Sequence, residues 1–300
     1  LWHDLTRQTH IRALQCGEWG PFRQVIAGLD LALHDLCARR AGQPMAAYLA
    51  PDLAPHPAAS VPVYASGLHV ATALPAMAAA RACGIAAFKV KVGFGPETDL
   101  PGLHAAQADL RPGERLMADA NQAWGCAEAL AFLQATRDVA LGWLEEPLPA
   151  DAPPADWAAV AAASHAPLAG GENIVGEAAF EAAIAGGQLG YLQPDLIKWG
   201  GFSGCLPVAR AALAAGRVYC PHYLGGGIGL LASAHALAAV GGPGLLELDM
   251  NENPLRDAFL PPAPVQGGRL ALGTAPGLGI TALPEALEPF RTLELEASAA

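Results

Sequence analysis

Charge is scarce in this 300-residue chain: Asp, Glu, Lys and Arg make up only 15% of it. Basic residues are the scarcer kind, 17 Lys and Arg against 28 Asp and Glu, for a net charge of −11. A basic face for a nucleic-acid backbone is not expected from this balance. An anionic small molecule stays compatible with it, because a dication and local lysines dominate the field inside a pocket. The cysteines (Cys16, Cys37, Cys83, Cys126, Cys205 and Cys220) form no CxxC pair, and no secretory signal precedes them. Scattered thiols of this kind are expected to be buried, in a reducing cytosol. No run of 18 apolar residues escapes Gly, Pro or polar interruption, so no membrane span is expected. HExxH is absent, and GGGIG at 225–229 lacks the last glycine of a dinucleotide fingerprint. Ser203, in GGFSG, lacks the order of a hydrolase elbow.

Apolar residues are plentiful at 53%, much of that alanine, which favours closely packed helices. The length accommodates one barrel of about 200–250 residues plus a smaller lobe. From Val61 onward, short apolar runs alternate with Ala-rich helical stretches. The runs are VPVYAS (61–66), AAFKVKVG (86–93), RLMADAN (115–121), LGWLEEP (141–147), APLAGGEN (166–173), LGYLQPD (189–195), RVYCPH (217–222) and LLELD (245–249). Helical patterns fill the gaps, as at Ala71–Cys83, Cys126–Arg137, Glu177–Ala185, Ser203–Ala215 and Leu230–Val240. This alternation predicts βαβ units and a parallel sheet. Eight evenly paced strands favour a closed α/β barrel of the (β/α)7β, TIM-like kind over an open doubly wound sheet. Three parts are expected: a partial capping lobe at 1–55, the barrel at 56–250, and a segment at 251–300 returning to the lobe. Within the first, Val25–Arg40 reads as a helix whose apolar face carries Ile26, Leu29, Leu33, Leu36 and Cys37. Gly42 and Pro44 stop it, Pro51–Pro57 reads as a linker, and Pro284–Ala297 as a short acidic helix.

The few charges fall where strands end. Lys89 and Lys91 lie in the second strand and Asp119 ends the third; Glu145 and Glu146 end the fourth, and Glu172 the fifth. Asp195 and His222 follow the sixth and seventh, and Glu247 lies in the eighth. Steps from Lys91 run 28, 26, 27, 23, 27 and 25 residues, each about one βα unit. Strands of a barrel point one way, so these residues converge on the C-terminal mouth. Asp119, Glu145 and Glu172 then make an all-oxygen set, which suits Mg²⁺ better than Zn²⁺. Any one of them alone reads as a helix cap or loop charge; three on consecutive strands repel unless a cation lies between. Lys89 and Lys91 share a strand face, expected to be the interior, where crowding near a dication would lower a lysine pKa. Asp195 beside His222 can fix its tautomer and raise its basicity. The other histidines (His3, His10, His34, His56, His69, His104, His165 and His235) read as structural or surface residues.

The segments FKVKVG, MADANQAW, WLEEPL, GGEN, QPDLIKWGG, PHYLGGGIG and LLELDMNENPL, in this order and pacing, resemble the mandelate racemase-like group of the enolase superfamily. The similarity runs from about Val25 to the C-terminus. The resemblance implies Mg²⁺ held by Asp119, Glu145 and Glu172. It implies Lys91 as a base on one substrate face, with Lys89 beside the substrate carboxylate. His222 and Asp195 become the acid or base of the opposite face, and a protonated Glu247 hydrogen-bonds the carboxylate. Asn121 becomes a polar substrate contact, Lys198 a lysine near the site, and Glu146 a supporting acid. Lys or His bases working beside Mg²⁺ are the known pattern of this superfamily. The implied reaction is removal of the proton beside a carboxylate, leading to dehydration of an acid sugar (an aldonate or aldarate). Racemisation of a 2-hydroxy acid is the alternative outcome, and a non-catalytic barrel the rival class. Homo-oligomers are frequent in such a group. Its members carry a longer N-terminal α+β lobe whose loop closes over the substrate, so the lobe here is expected to be truncated.

Overall fold

The computed structural model describes residues 1–51 and 57–293. Helices α1 (Trp2–Cys16), α2 (Trp19–Arg40) and α3 (Met45–Leu49) come first. Strands β1 (Ser60–His69), β2 (Ala87–Lys91), β3 (Arg115–Asp119), β4 (Leu141–Glu145), β5 (Leu168–Gly170), β6 (Leu189–Leu192), β7 (Val218–Tyr219) and β8 (Leu246–Asp249) follow. Between them run α4 (Ala73–Ala82), α5 (Pro96–Ala108), α6 (Cys126–Ala135), α7 (Pro154–Ala163), α8 (Glu177–Gly186), α9 (Gly201–Ala214) and α10 (Gly227–Val240). A short α11 (Pro254–Asp257) and the hairpin β9 (Val265–Gln266) and β10 (Arg269–Ala271) end the regular structure, before a 3-10 turn at Glu285–Phe290.

Parallel ladders join β1 through β7 in sequence order, and β8 returns to pair with β1. That return distinguishes a barrel from an open sheet. At the β7–β8 seam, Leu245 N–H donates to Cys220 Sγ at 3.3 Å and Tyr223 N–H to a Glu247 carboxylate oxygen at 3.1 Å. The expected eight-strand barrel is therefore present, with helices alternating around it.

Strand alternation sorts side chains between two shells. Tyr64, Ala87, Met117, Trp143, Ala169, Cys220 and Leu245 pack as one cluster, with Tyr191 against it, and fill the barrel interior. Large and small residues interleave, as a tapering barrel requires. The next inward positions toward the C-terminal end include Lys89, Asp119, Glu145, His222 and Glu247. On β2, Phe88 and Val90 face the helices, where they join the main apolar core.

The segments at both chain ends pack on the barrel and on each other. Buried Asp30 of α2 accepts hydrogen bonds from Ser203 N–H (3.0 Å) and Ser203 Oγ (2.6 Å), docking α2 on the start of α9. Gly201 is required there: its φ is +53°, and a Cβ would lie 2.4 Å from an Asp30 oxygen. Gly277 exchanges backbone hydrogen bonds with Gln43 and Met45, so the tail lies along the α2–α3 connection. Hairpin β9–β10 pairs with the N-terminal end of β1, at the foot of the barrel.

Several expectations change. Helix α2 starts earlier than expected, and it buries Ile26, Ala27, Asp30, Leu31 and Ala38. Leu29, Leu33, Leu36 and Cys37 are exposed. The face chosen by hydrophobicity was displaced because Asp30 turns inward to cap α9. Pro44 does not merely stop α2; it is the N-cap of α3. The tail holds a hairpin, with Gly267 and Gly268 at φ +56° and +70°. Cysteines Cys16, Cys37 and Cys83 are exposed, and only Cys205 and Cys220 are buried. Most of the Pro51–Pro57 linker and residues 294–297 of the expected acidic helix lie outside the described residues. Among the described residues, no helix is long and apolar enough to cross a membrane.

His235, 1% exposed in α10, accepts a hydrogen bond on Nδ1 from Ala46 N–H at 3.2 Å, joining α3 to the barrel. Burial drives its pKa down from 6.5 to about 4, against a small opposing pull from Asp35. The unfolded chain binds the proton more tightly, so stability is lost as pH falls from 6.5 toward 4. In denaturant titrations, the wild type should lose about 3 kcal/mol more than His235→Gln between about pH 7 and about pH 4. Parallel pH profiles for the two proteins would contradict this.

Candidate active site

Register brings the charged residues together. Lys91 is the Cα partner of Asp119, and Asp119 that of Glu145, so three neighbouring strands present them in one row. Lys89, fully buried, sits one inward position below. Its Nζ lies 2.6 Å from Glu145 Oε1, 2.8 Å from Glu247 Oε1 and 3.3 Å from Asp119 Oδ2. Lys91 Nζ is 2.5 Å from Asp119 Oδ2, and its side chain keeps 28% exposure at the mouth. The lysine pair therefore faces inward, as the alternation predicted.

Glu145 is held on its other oxygen by Trp143 Nε1–H at 3.0 Å and Gln193 Nε2–H at 2.7 Å. Glu247 accepts from Ser66 Oγ at 2.5 Å as well as from Tyr223 N–H. On the β7 side, His222 Nδ1 lies 2.6 Å from Asp195 Oδ2, and Nε2 lies 2.5 Å from Glu172 Oε2. Carboxylates only accept, so a ring facing two of them carries a proton on each nitrogen. Asp195 is itself anchored by the N–H groups of Ile197 and Lys198 at 2.7 and 2.8 Å.

Burial would lower the Lys89 pKa, but Glu145, Glu247, Tyr64 and Asp119 together hold it well above the ordinary value. Its nearest charges are these carboxylates rather than Lys91. Burial would raise the Glu247 pKa, yet Lys89, His222 and Ser66 bring it down to about 2. The acid driven toward its neutral form is Glu145, raised to about 8 by burial and by Asp119. Burial lowers His222, but Glu247, Asp195 and Glu172 raise it well above 6.5.

Asn121 ends the row in a left-handed conformation (φ 44°), its N–H donating to Asp119 Oδ1 at 2.9 Å while the residue is exposed at the mouth. Gln122 and Glu146 are also left-handed, at φ 64° and 38°, so backbone strain collects at this rim. Glu146 turns away from the interior toward a cavity of about 630 Å³, lined also by Arg23, Trp157 and Asn173. Burial, then Glu172, raises its pKa to about 7. Lys198 Nζ lies 2.9 Å from Asn173 Oδ1. Asn173, Trp143, Gln193 and Ser66 were not singled out from the sequence. Trp143 and Gln193 stand two residues from Glu145 and Asp195, the spacing that puts strand neighbours on one face, and that was their available signal.

Among the described residues, no three His, Cys, Asp or Glu side chains are gathered as a metal-holding group. Asp119 and Glu145 turn to the lysines, and Glu172 turns to His222. The donor chemistry nonetheless fits a hard dication. Asp119, Glu145, Glu172, Asp195 and Glu247 outnumber Lys89, Lys91 and His222, and the oxygen-only set on β3, β4 and β5 is of the kind Mg²⁺ takes.

A parallel α/β barrel with its polar constellation at the C-terminal strand ends defines a barrel enzyme with a mouth-borne site. Residues 71–286 match the family described as enolase C-terminal domain-like. D-galactarolactone cycloisomerase of Agrobacterium fabrum is 32% identical over 92% of this chain and 76% of its own length. Arabinonate dehydratase of Saccharolobus solfataricus is 26% identical over 97% and 77%. A crystal structure of a mandelate racemase/muconate lactonizing enzyme from Bordetella bronchiseptica RB50 superposes with a TM-score of 0.89 at 51% identity, covering 95% of this chain and 79% of that one. A racemase from Streptomyces coelicolor A3(2) with bound magnesium gives 0.78 at 28% identity, covering 94% and 77%. The chain belongs to the enolase superfamily, in its mandelate racemase/muconate lactonizing enzyme family. It is an enzyme of the lyase or isomerase kind.

Replacing Lys89 by Met would leave Glu145, Glu247 and Asp119 buried without their shared cation. Lys89→Met should lower the unfolding free energy at neutral pH by about 3–5 kcal/mol in urea titrations. A loss below about 1 kcal/mol would show that the cluster does not depend on that ammonium.

Proposed function

We propose that this enzyme removes the proton beside a carboxylate and dehydrates an acid sugar, an aldonate or aldarate, to a 2-keto-3-deoxy acid. The observation that carries the reading is the pair of proton carriers at the mouth: Lys91 on the β2 side and His222 on the β7 side, each against its own carboxylate. Asp119, Glu145 and Glu172 would hold Mg²⁺, which when bound offsets the charge that develops on the substrate carboxylate by several kcal/mol.

The residues of the chain divide the work. Lys91, as the neutral amine, takes the α-proton, and the electron pair passes into the carboxylate as an enolate. The Lys89 ammonium, fixed by Glu145 and Glu247, lies where that negative charge grows and stabilises it. His222 bears protons on both ring nitrogens and gives one to the departing β-hydroxyl, which leaves as water. Asp195 orients the ring throughout. The enol product then takes up a proton at the β-carbon and gives up its hydroxyl proton, yielding the 2-keto acid. Asn121 and Lys198, at the rim, contact the sugar chain.

The Agrobacterium fabrum relative favours a second reading, lactone cycloisomerisation. A ring oxygen β to a carboxylate would depart in the same way as the hydroxyl, with His222 again as the acid.

A panel of acid sugars and their lactones, assayed for 2-keto acid formation with Mg²⁺ present, tests the proposal. Lys91→Ala and His222→Asn should each reduce turnover by roughly a thousandfold or more, with unchanged circular dichroism. EDTA should silence the wild type, and Mg²⁺ should restore it. Activity indifferent to EDTA, or kept by both variants, would sink the two-sided mechanism.

A further inference from the structure

Asn173 occupies an unusual position between charges of opposite sign. Its amide nitrogen lies 2.9 Å from Glu172 Oε1 and 2.8 and 3.1 Å from the two oxygens of Glu146. Its amide oxygen accepts from Lys198 Nζ at 2.9 Å. Chemistry fixes this orientation of the amide: a flip would set its oxygen against two carboxylates and its N–H groups against an ammonium. Lys198 Nζ stands 3.5 Å from Glu172 Oε1, short of a close ion pair, with the Asn173 amide bonded to both partners. The side chain of Lys198 is 37% exposed and that of Glu172 only 12%. A partly solvated cation thus stands at the edge of a largely buried carboxylate.

We infer that Asn173 is a positioning residue that holds Lys198 off Glu172 and so keeps that carboxylate available to a divalent cation. The inference rests on the metal reading above and adds to it a residue that touches neither substrate nor metal. Without the amide, Lys198 closes on Glu172 as a direct ion pair and competes with the dication for the same oxygen. Glu146 has a supporting part, since both its oxygens hold the amide nitrogen from the far side and keep Asn173 from rotating away.

Calorimetric titration of the metal-stripped full chain with MgCl₂ tests this without reference to turnover. Asn173→Ala should weaken Mg²⁺ binding roughly tenfold or more, and adding Lys198→Met should return the affinity to within about threefold of wild type. Rescue by removing a second side chain is not what a merely structural role for Asn173 would give. If Asn173→Ala does not fold, Asn173→Ser takes its place: its short hydroxyl cannot span Lys198 and Glu172, and the same loss and rescue are expected. Unchanged affinity in the single variant overturns the inference, as does a loss that Lys198→Met fails to restore. A wild-type chain that takes up no Mg²⁺ overturns the metal reading itself, and this inference with it.

Discussion

The site depends on one buried ammonium. Lys89 lies among Glu145, Glu247 and Asp119 at the centre of the barrel mouth, with the ring of Tyr64 beneath it at 5.4 Å. A lysine without exposure is costly unless its charge is answered, and carboxylates gathered in the interior are costly for the same reason. Each cost is met by the other. Glu247 and Glu145 are bound to this centre, while Lys91 stands at its margin against Asp119 and His222 lies between Asp195 and Glu172.

Much of this was legible in the sequence because strand pairing converts spacing into proximity. Steps of about one βα unit from Lys91 to Glu247 put the residues of that series at the same end of the barrel. The register row of Lys91, Asp119 and Glu145 is the physical form of that regularity. The two-residue spacing of Lys89 and Lys91 correctly predicted that both face inward.

What stayed hidden depended on partners remote in sequence. The balance of nearby charges and burial sets each acid: Lys89, His222 and Ser66 lower the Glu247 pKa, whereas burial and then Asp119 raise that of Glu145. No motif states that balance. The face of α2 was misjudged for a related reason, since a buried Asp30 serving the start of α9 outranks a leucine stripe. The strands of hairpin β9–β10 are too short for periodicity to register, and Gly267 and Gly268 at its turn are its one signal in the chain. Asn173 lay in plain view within GGEN, but its worth comes from Lys198, one barrel unit away.

Because the working groups and the packing groups take alternate places along the same strands, a single inserted residue inside β2 or β3 would exchange them. Phe88 and Val90 would enter the mouth, and the lysines would press into the shell beneath the helices. Heritable variation in this fold is therefore confined to two different grammars. The ladders tolerate substitution but not a change of length, whereas the segments beyond the strand tips can lengthen, shorten and take on new side chains. New substrates can be acquired there by editing the rim while the ladder beneath stays as it is.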